Sequence, residues 1–250
     1  MKTEWDYTDL ADAYLKRAPY SDQALDEMVR LASLDADSVI CDVGAGTAHL
    51  TLPIAKRGYR VTSVEPNDAM RANGMRLTSN LPNVSWIEGT GEDTKQPVSS
   101  FDMVTFGSSF NVTDRPRALV ETARILKNRG WFACMWNHRS LEDPIQQGIE
   151  SVIRKHIPEY DYGSRREDQT EVINASGLFG KVHKLEGPVS HRQSIDDCVE
   201  AWRSHATLHR QAGNSFQTIV DEIENFLRAK NVDSIDVPYQ TRIWCAQKKS

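Results

Sequence analysis

Between Val39 and Asn137, short apolar runs and helical patterns alternate five times. The runs are VICDV (39–43), YRVTSVE (59–65), VSWIEGT (84–90), FDMVTFG (101–107) and GWFACMWN (130–137). Helices are expected between them at 47–56, 67–78 and 114–128, with Leu119, Ala123 and Leu126 on one face of the last. Gly74 weakens the second of these, and Gly58 closes the first. Such an alternation specifies a parallel sheet with helices on both faces.

The flanks extend this pattern. Residues 8–18 and 21–33 read as helices, the second capped by Ser21 or Asp22. After the fifth strand come helices at 143–157 and 166–176 and a strand at 181–187. A charged helical stretch at 194–230 and a last strand at 239–248 follow. The expected architecture is one α/β domain over 1–250 with a doubly wound, mostly parallel seven-stranded sheet. An N-terminal helical cap covers 1–33, and a helical insertion at 190–235 lies over the substrate side before the last strand. The chain has 250 residues, 39% of them hydrophobic, which suits one full core.

The glycine loop after the first strand, DVGAGTAHL, carries the chemistry. Gly44 and Gly46 permit a tight turn and a close backbone approach to a ligand. A helix after the loop points free N–H groups at that ligand. Glu65 ends the second strand, where a carboxylate accepts both hydroxyls of a ribose. A dinucleotide fingerprint needs a third glycine, and His49 stands there, which ranks a nicotinamide oxidoreductase last.

These residues resemble motif I and the acidic strand end of class I S-adenosylmethionine-dependent methyltransferases. WIEGTGEDTKQPVSSFDMVTFGSSF and DRPRALVETARILKNRGWFACMWNHR resemble later segments of that family in the same order. AYLKRAPYS resembles the Y-x-x-x-R-P-x-Y-P leader of a branch that mostly methylates small molecules. The resemblance implies the Rossmann-like methyltransferase fold, S-adenosyl-L-methionine as cofactor and S-adenosyl-L-homocysteine as product. It places Tyr14, Arg17, Asp42, Gly44, Ala45, Gly46, Glu65, Pro66, Asn67, Thr90, Gly91, Glu92, Gly107 and Ser108 around the cofactor. Thr90 stands where many relatives carry an acid, so Glu92 or backbone groups are expected to meet the adenine. Asn128 is expected to take the turn conformation in KNRG, where relatives often have KPGG.

The acceptor pocket is expected outside the carboxyl ends of the strands. Its candidate walls are Tyr7, Tyr20, Phe110, Asn111, Asn137, His138, Arg139, Trp202 and His205. No catalytic residue is fixed; Tyr14 and His138 are the candidates, and a base is needed only if the acceptor must lose a proton. His205 and His209 share an i, i+4 helix face without a third ligand, so no metal is expected.

Composition narrows the partners. The net charge is −5, from 30 basic and 35 acidic residues, which gives no general attraction to nucleic acid. No apolar run approaches the ~20 residues of a membrane span. The start, MKTEWDYTDL, has no apolar core of a secretion signal. The four cysteines show no CxxC pair and read as reduced core thiols of a cytoplasmic protein. The leading expectation is methyl transfer to a nitrogen or oxygen of a small molecule, with a homo-oligomer an open option. The alternatives are a methyltransferase for RNA or protein and a non-catalytic binder of the same cofactor.

Overall fold

The computed structural model describes residues 14–163, 166–203 and 205–250. Tyr7 and most of the helix expected at 8–18 lie outside the described residues. Seven strands among the described residues form one sheet: β1 (Val39–Val43), β2 (Arg60–Val64), β3 (Val84–Ile87), β4 (Phe101–Gly107), β5 (Leu126–Arg139), β6 (Phe179–Ser194) and β7 (Ser234–Lys248). Their order is β3-β2-β1-β4-β5-β7-β6. The pairs from β3 to β5 are parallel, and β7 runs antiparallel between β5 and β6. The doubly wound, mostly parallel seven-stranded sheet expected from the sequence is therefore the observed one.

Period-two patterning splits the core into two layers. Two neighbouring strands illustrate this. Val104 and Phe106 of β4 and Phe132, Cys134 and Trp136 of β5 face one side. Met103, Trp131, Ala133 and Met135 face the other. The first face is covered by α4 (Arg115–Ile125) and α6 (Thr170–Ala175). The second is covered by α1 (Asp22–Leu31) and α2 (Thr51–Lys56). Ser21, Asn67 and Asp114 cap α1, α3 (Asp68–Leu77) and α4 by accepting backbone N–H bonds from Ala24, Met70 and Arg117.

A third apolar cluster lies beyond the sheet. It joins α5 (Pro144–His156), α7 (Ile195–Arg203), α8 (Ala206–Ala212), α9 (Phe216–Arg228) and Ile235 and Val237 of β7. The cap thus draws on the segment after β5 as well as on the stretch between β6 and β7.

Several boundaries differ from expectation. The helix expected from Thr47 begins at Thr51, because Ala48 takes a left-handed φ of 74° and the chain turns first. The stretch 194–230 is three helices, interrupted at Gly213 with φ 51°. The helix expected at 166–176 spans only Thr170–Ala175. In KNRG the left-handed residue is Arg129 (φ 61°), not Asn128, and the turn is absorbed into β5. Strands β6 and β7 outrun their expected bounds of 181–187 and 239–248. Pro188 reads as a strand breaker, yet β6 is the sheet edge, where proline is tolerated.

Gly74 has a packing reason. A Cβ built there overlaps the Trp86 ring, which is itself fixed by its Nε1–H bond to Thr78 Oγ1 at 2.9 Å. Alanine usually stabilises a helix over glycine, but here overpacking outweighs propensity. Gly74→Ala is expected to destabilise the fold by about 1–3 kcal/mol, measured by urea denaturation; a gain in stability would refute the packing account.

Candidate functional site

The carboxyl ends of β1, β2 and β4 meet at the glycine loop. Gly44 (φ 64°) and Gly46 (φ 55°) adopt the left-handed backbone that glycine favours. The Gly44 and Ala45 N–H groups donate to Val64 O at 2.8 and 3.1 Å, which fastens the loop to β2. A Cβ at Gly44 would press on Ser109, whereas nothing lies within 4 Å of one at Gly46. Gly46 thus borders open space.

Glu65 is 6% exposed. Its Oε2 accepts the Gly46 N–H and its Oε1 the Asn67 N–H, each at 2.8 Å. Burial raises its pKa, and the two backbone N–H groups and Arg71 oppose that rise. Each carboxylate oxygen keeps further acceptor capacity, which two vicinal hydroxyls can use.

Asp42 departs from the expected role beside the cofactor. It is fully buried beneath the loop and does not line the cavity. Its Oδ2 accepts from Thr51 Oγ1 at 2.7 Å and its Oδ1 from Thr105 Oγ1 at 3.1 Å. Burial pushes its pKa up to about 7, against the two threonine hydrogen bonds. It shapes the loop from below.

A cavity of about 890 Å³ opens over these strand ends. Gly44, Ala45, Gly46, Glu65, Pro66, Asn67, Thr90, Gly91, Glu92, Gly107 and Ser108 all line it, as does the leader through Tyr14, Arg17 and Tyr20. Glu92 Oε1 accepts the Asp114 N–H at 2.6 Å, and Thr90 Oγ1 accepts the Asp93 N–H at 3.2 Å. Tyr20 and Ser108 share a hydrogen bond of 3.0 Å between their hydroxyls. The Arg17 guanidinium lies 3.4 Å from the Tyr14 ring centroid. His49 Nε2–H donates to Arg17 O at 2.9 Å and ties the leader to the glycine loop. Burial lowers the His49 pKa, and the Arg17 and His191 charges add to this, while the bond to Arg17 O opposes it.

The structure brings Asn111, Asn137, His138, Arg139 and His205 to the same cavity. Asn137 is already engaged: its amide donates to Ala18 O (3.0 Å) and Pro19 O (2.8 Å) and accepts from Thr241 Oγ1 (2.6 Å). It clamps the leader to the sheet. Phe110 is not a pocket wall; it is fully buried, with ring centroids 5.4 and 5.3 Å from Phe106 and Phe132. Trp202 is also behind the wall, in the apolar core of the cap. Both were placed in the pocket by their neighbours in sequence, and their size and apolarity buried them instead.

Tyr162, Arg166, Gln193, Arg210 and Tyr239 line the cavity too and carried no sequence signal. The loop DYGSRRED shows only an aromatic beside arginines, with no period or motif. Gln193 is 5% exposed, and its side-chain oxygen has no hydrogen-bond partner among the described residues.

Open space at Gly46, a carboxylate with spare acceptor capacity at the β2 end and a cavity wall at Thr90–Glu92 fit an adenosine-bearing cofactor. Residues 41–134 match the family model described as a methyltransferase domain. An uncharacterized methyltransferase-like protein of Schizosaccharomyces pombe is 24% identical, covering 97% of this chain and 94% of its own. The uncharacterized methyltransferase YcgJ of Bacillus subtilis is 27% identical over 76% of this chain and 78% of its own. The YcgJ crystal structure superposes with a TM-score of 0.57 at 18% identity, over 91% and 99% of the two chains. Phosphoethanolamine N-methyltransferase 2 of Haemonchus contortus, solved with phosphomonomethylethanolamine and S-adenosylhomocysteine, gives a TM-score of 0.53. It is 16% identical over 92% of this chain and 53% of its own.

Asp42 makes stability depend on pH. Its folded pKa of about 7 lies above the ordinary 3.8, so the folded state holds the proton longer than the unfolded chain. Stability therefore falls as pH rises between these values. Relative to Asp42→Asn, the wild type should lose about 2–3 kcal/mol between pH 5 and pH 8, read from urea melts at each pH. A pH-independent difference would show that Asp42 ionises freely.

Proposed function

On the premise that the chain is an S-adenosylmethionine-dependent methyltransferase, we propose that it methylates a nitrogen or oxygen atom of a small molecule. The observation that carries this reading is the shared cavity. Cofactor-loop residues, the leader and the cap (Tyr162, Arg166, His205, Arg210) line one space of about 890 Å³. That volume suits a cofactor with a small acceptor, not a macromolecular surface. The Haemonchus contortus N-methyltransferase was solved with a small molecule, phosphomonomethylethanolamine, which supports the reading. Among the described residues no helix is long and apolar enough to cross a membrane.

In this reading Glu65 accepts the ribose hydroxyls, Thr90, Gly91 and Glu92 edge the adenine, and Arg17 receives the methionine carboxylate. When bound, S-adenosyl-L-methionine supplies a methyl group on a sulfonium, an activated donor that leaves as S-adenosyl-L-homocysteine. The protein's task is then mainly to hold the acceptor in line with the departing sulfur and exclude water. The leader, fastened by Asn137 and His49, and the cap line the space from two directions of the chain, before β1 and after β5. His138, 5% exposed at the end of β5, is the side chain that can take a proton from the acceptor. Tyr14 is the second candidate, on the leader.

Two measurements test this. Incubation with methyl-labelled cofactor and a panel of small amines, alcohols and acids should label at least one acceptor. Label entering only RNA or protein would overturn the small-molecule reading. Glu65→Gln should weaken S-adenosylhomocysteine binding by about tenfold to a hundredfold in calorimetry, because a charged acceptor of two hydroxyls is lost. Unchanged affinity would remove Glu65 from the site.

A further inference from the structure

We propose that the acceptor carries an oxyanion, a carboxylate or phosphate group, seated between Arg139 and Arg166. This rests on the methyltransferase reading and names the class of molecule the site takes.

Arg139 is the last residue of β5, and its guanidinium packs 4.4 Å from the Trp202 ring centroid and 5.7 Å from that of Tyr239. Arg166 stacks 4.3 Å over the Tyr162 ring and donates from Nη2 to Arg139 O at 3.0 Å. That bond brings the two side chains to one wall of the cavity, and both are half-buried. Elsewhere in the fold arginines sit on carboxylates: Arg57 on Asp22, Arg71 on Asp68, Arg124 on Glu121, Arg203 on Glu224 and Arg228 on Asp196. Among the described residues no carboxylate lies within 4.0 Å of either Arg139 or Arg166. Glu150, nearby, is taken by Arg154 at 2.9 Å and by the Tyr162 hydroxyl at 3.4 Å.

Arg139 also hydrogen-bonds the Tyr239 side chain, and its pKa is raised against the pull of burial. With Arg166 on one backbone carbonyl, both forks are held by neutral groups only, which leaves donors for an anion. Burial pulls the Arg166 pKa below its ordinary value; Tyr162 and Glu150 oppose this, and the Arg242 and Arg139 cations add to it. An oxyanion supplies what this wall lacks, since each fork can bind two of its oxygens. The cofactor's own carboxylate is assigned to Arg17, on the leader beside the glycine loop. The acidic lining residues Glu65, Glu92 and Asp114 belong to the adenosine end. Charge thus divides the cavity, with the acceptor end cationic.

The test uses the full chain saturated with S-adenosylhomocysteine and titrated calorimetrically with citrate, glutarate, glycerol 3-phosphate or sodium chloride. At least one oxyanion should bind where chloride does not, and the class that binds tells carboxylate from phosphate. Arg139→Gln and Arg166→Gln should each weaken that binding about tenfold or more, leaving S-adenosylhomocysteine affinity unchanged. If Arg139→Gln fails to fold, Arg139→Lys keeps the charge, loses the fork and should still weaken binding. The proposal is overturned if the wild type binds S-adenosylhomocysteine but no oxyanion, or if the variants bind oxyanions as tightly. It is also overturned if the substitutions weaken S-adenosylhomocysteine itself, for then the pair holds the cofactor. A wild type that does not bind S-adenosylhomocysteine overturns the methyltransferase reading first.

Discussion

The buried carboxylate of Asp42 sits where β1, β4 and α2 meet, held by Thr105 from β4 and Thr51 from α2. Thr51 in turn shares a hydrogen bond of 2.8 Å with Ser63 of β2. Four elements therefore converge on one polar knot inside an apolar layer. A buried polar group must be satisfied, so this knot fixes how the strands and the first helix sit relative to one another. The glycine loop leaves directly above it, and everything that faces the cavity inherits its position from there.

From that base the site is assembled by fastening separate pieces to the strand ends. Glu65 pins the loop through Gly46 and pins the start of α3 through Asn67. Asn137 and His49 pin the leader at the neighbouring carbonyls of Ala18 and Arg17. The ribbon of β6 and β7 runs past the end of β5, at Arg139 opposite Tyr239, and carries the cap helices out over the opening. The sheet supplies a rigid floor, and the walls are hung on it by side-chain to backbone bonds.

Residues with a local physical reason were legible. Gly44, Gly46 and Glu65 depend on a strand, a turn and the next strand end, all within one short segment. Residues with only a positional reason were not. Phe110 follows β4 as a pocket residue would, yet its ring completes an aromatic cluster with Phe106 and Phe132. Asp42 reads as a cofactor ligand but points into the layer between the sheet and α2. Arg166 lies in a loop with no pattern, and only the fold brings it to Arg139 across 26 intervening residues.

The sequence by itself determined the parallel sheet, the two-faced helical cover, the glycine loop and the carboxylate at the second strand end. These follow from periodicity and local backbone conformation, which act over a few residues. Tertiary structure alone decided which side chains share the cavity and which of them lack a counter-charge. That depends on contacts between residues far apart in the chain, and the pairing of Arg139 and Arg166 at one wall is a property of the packed fold.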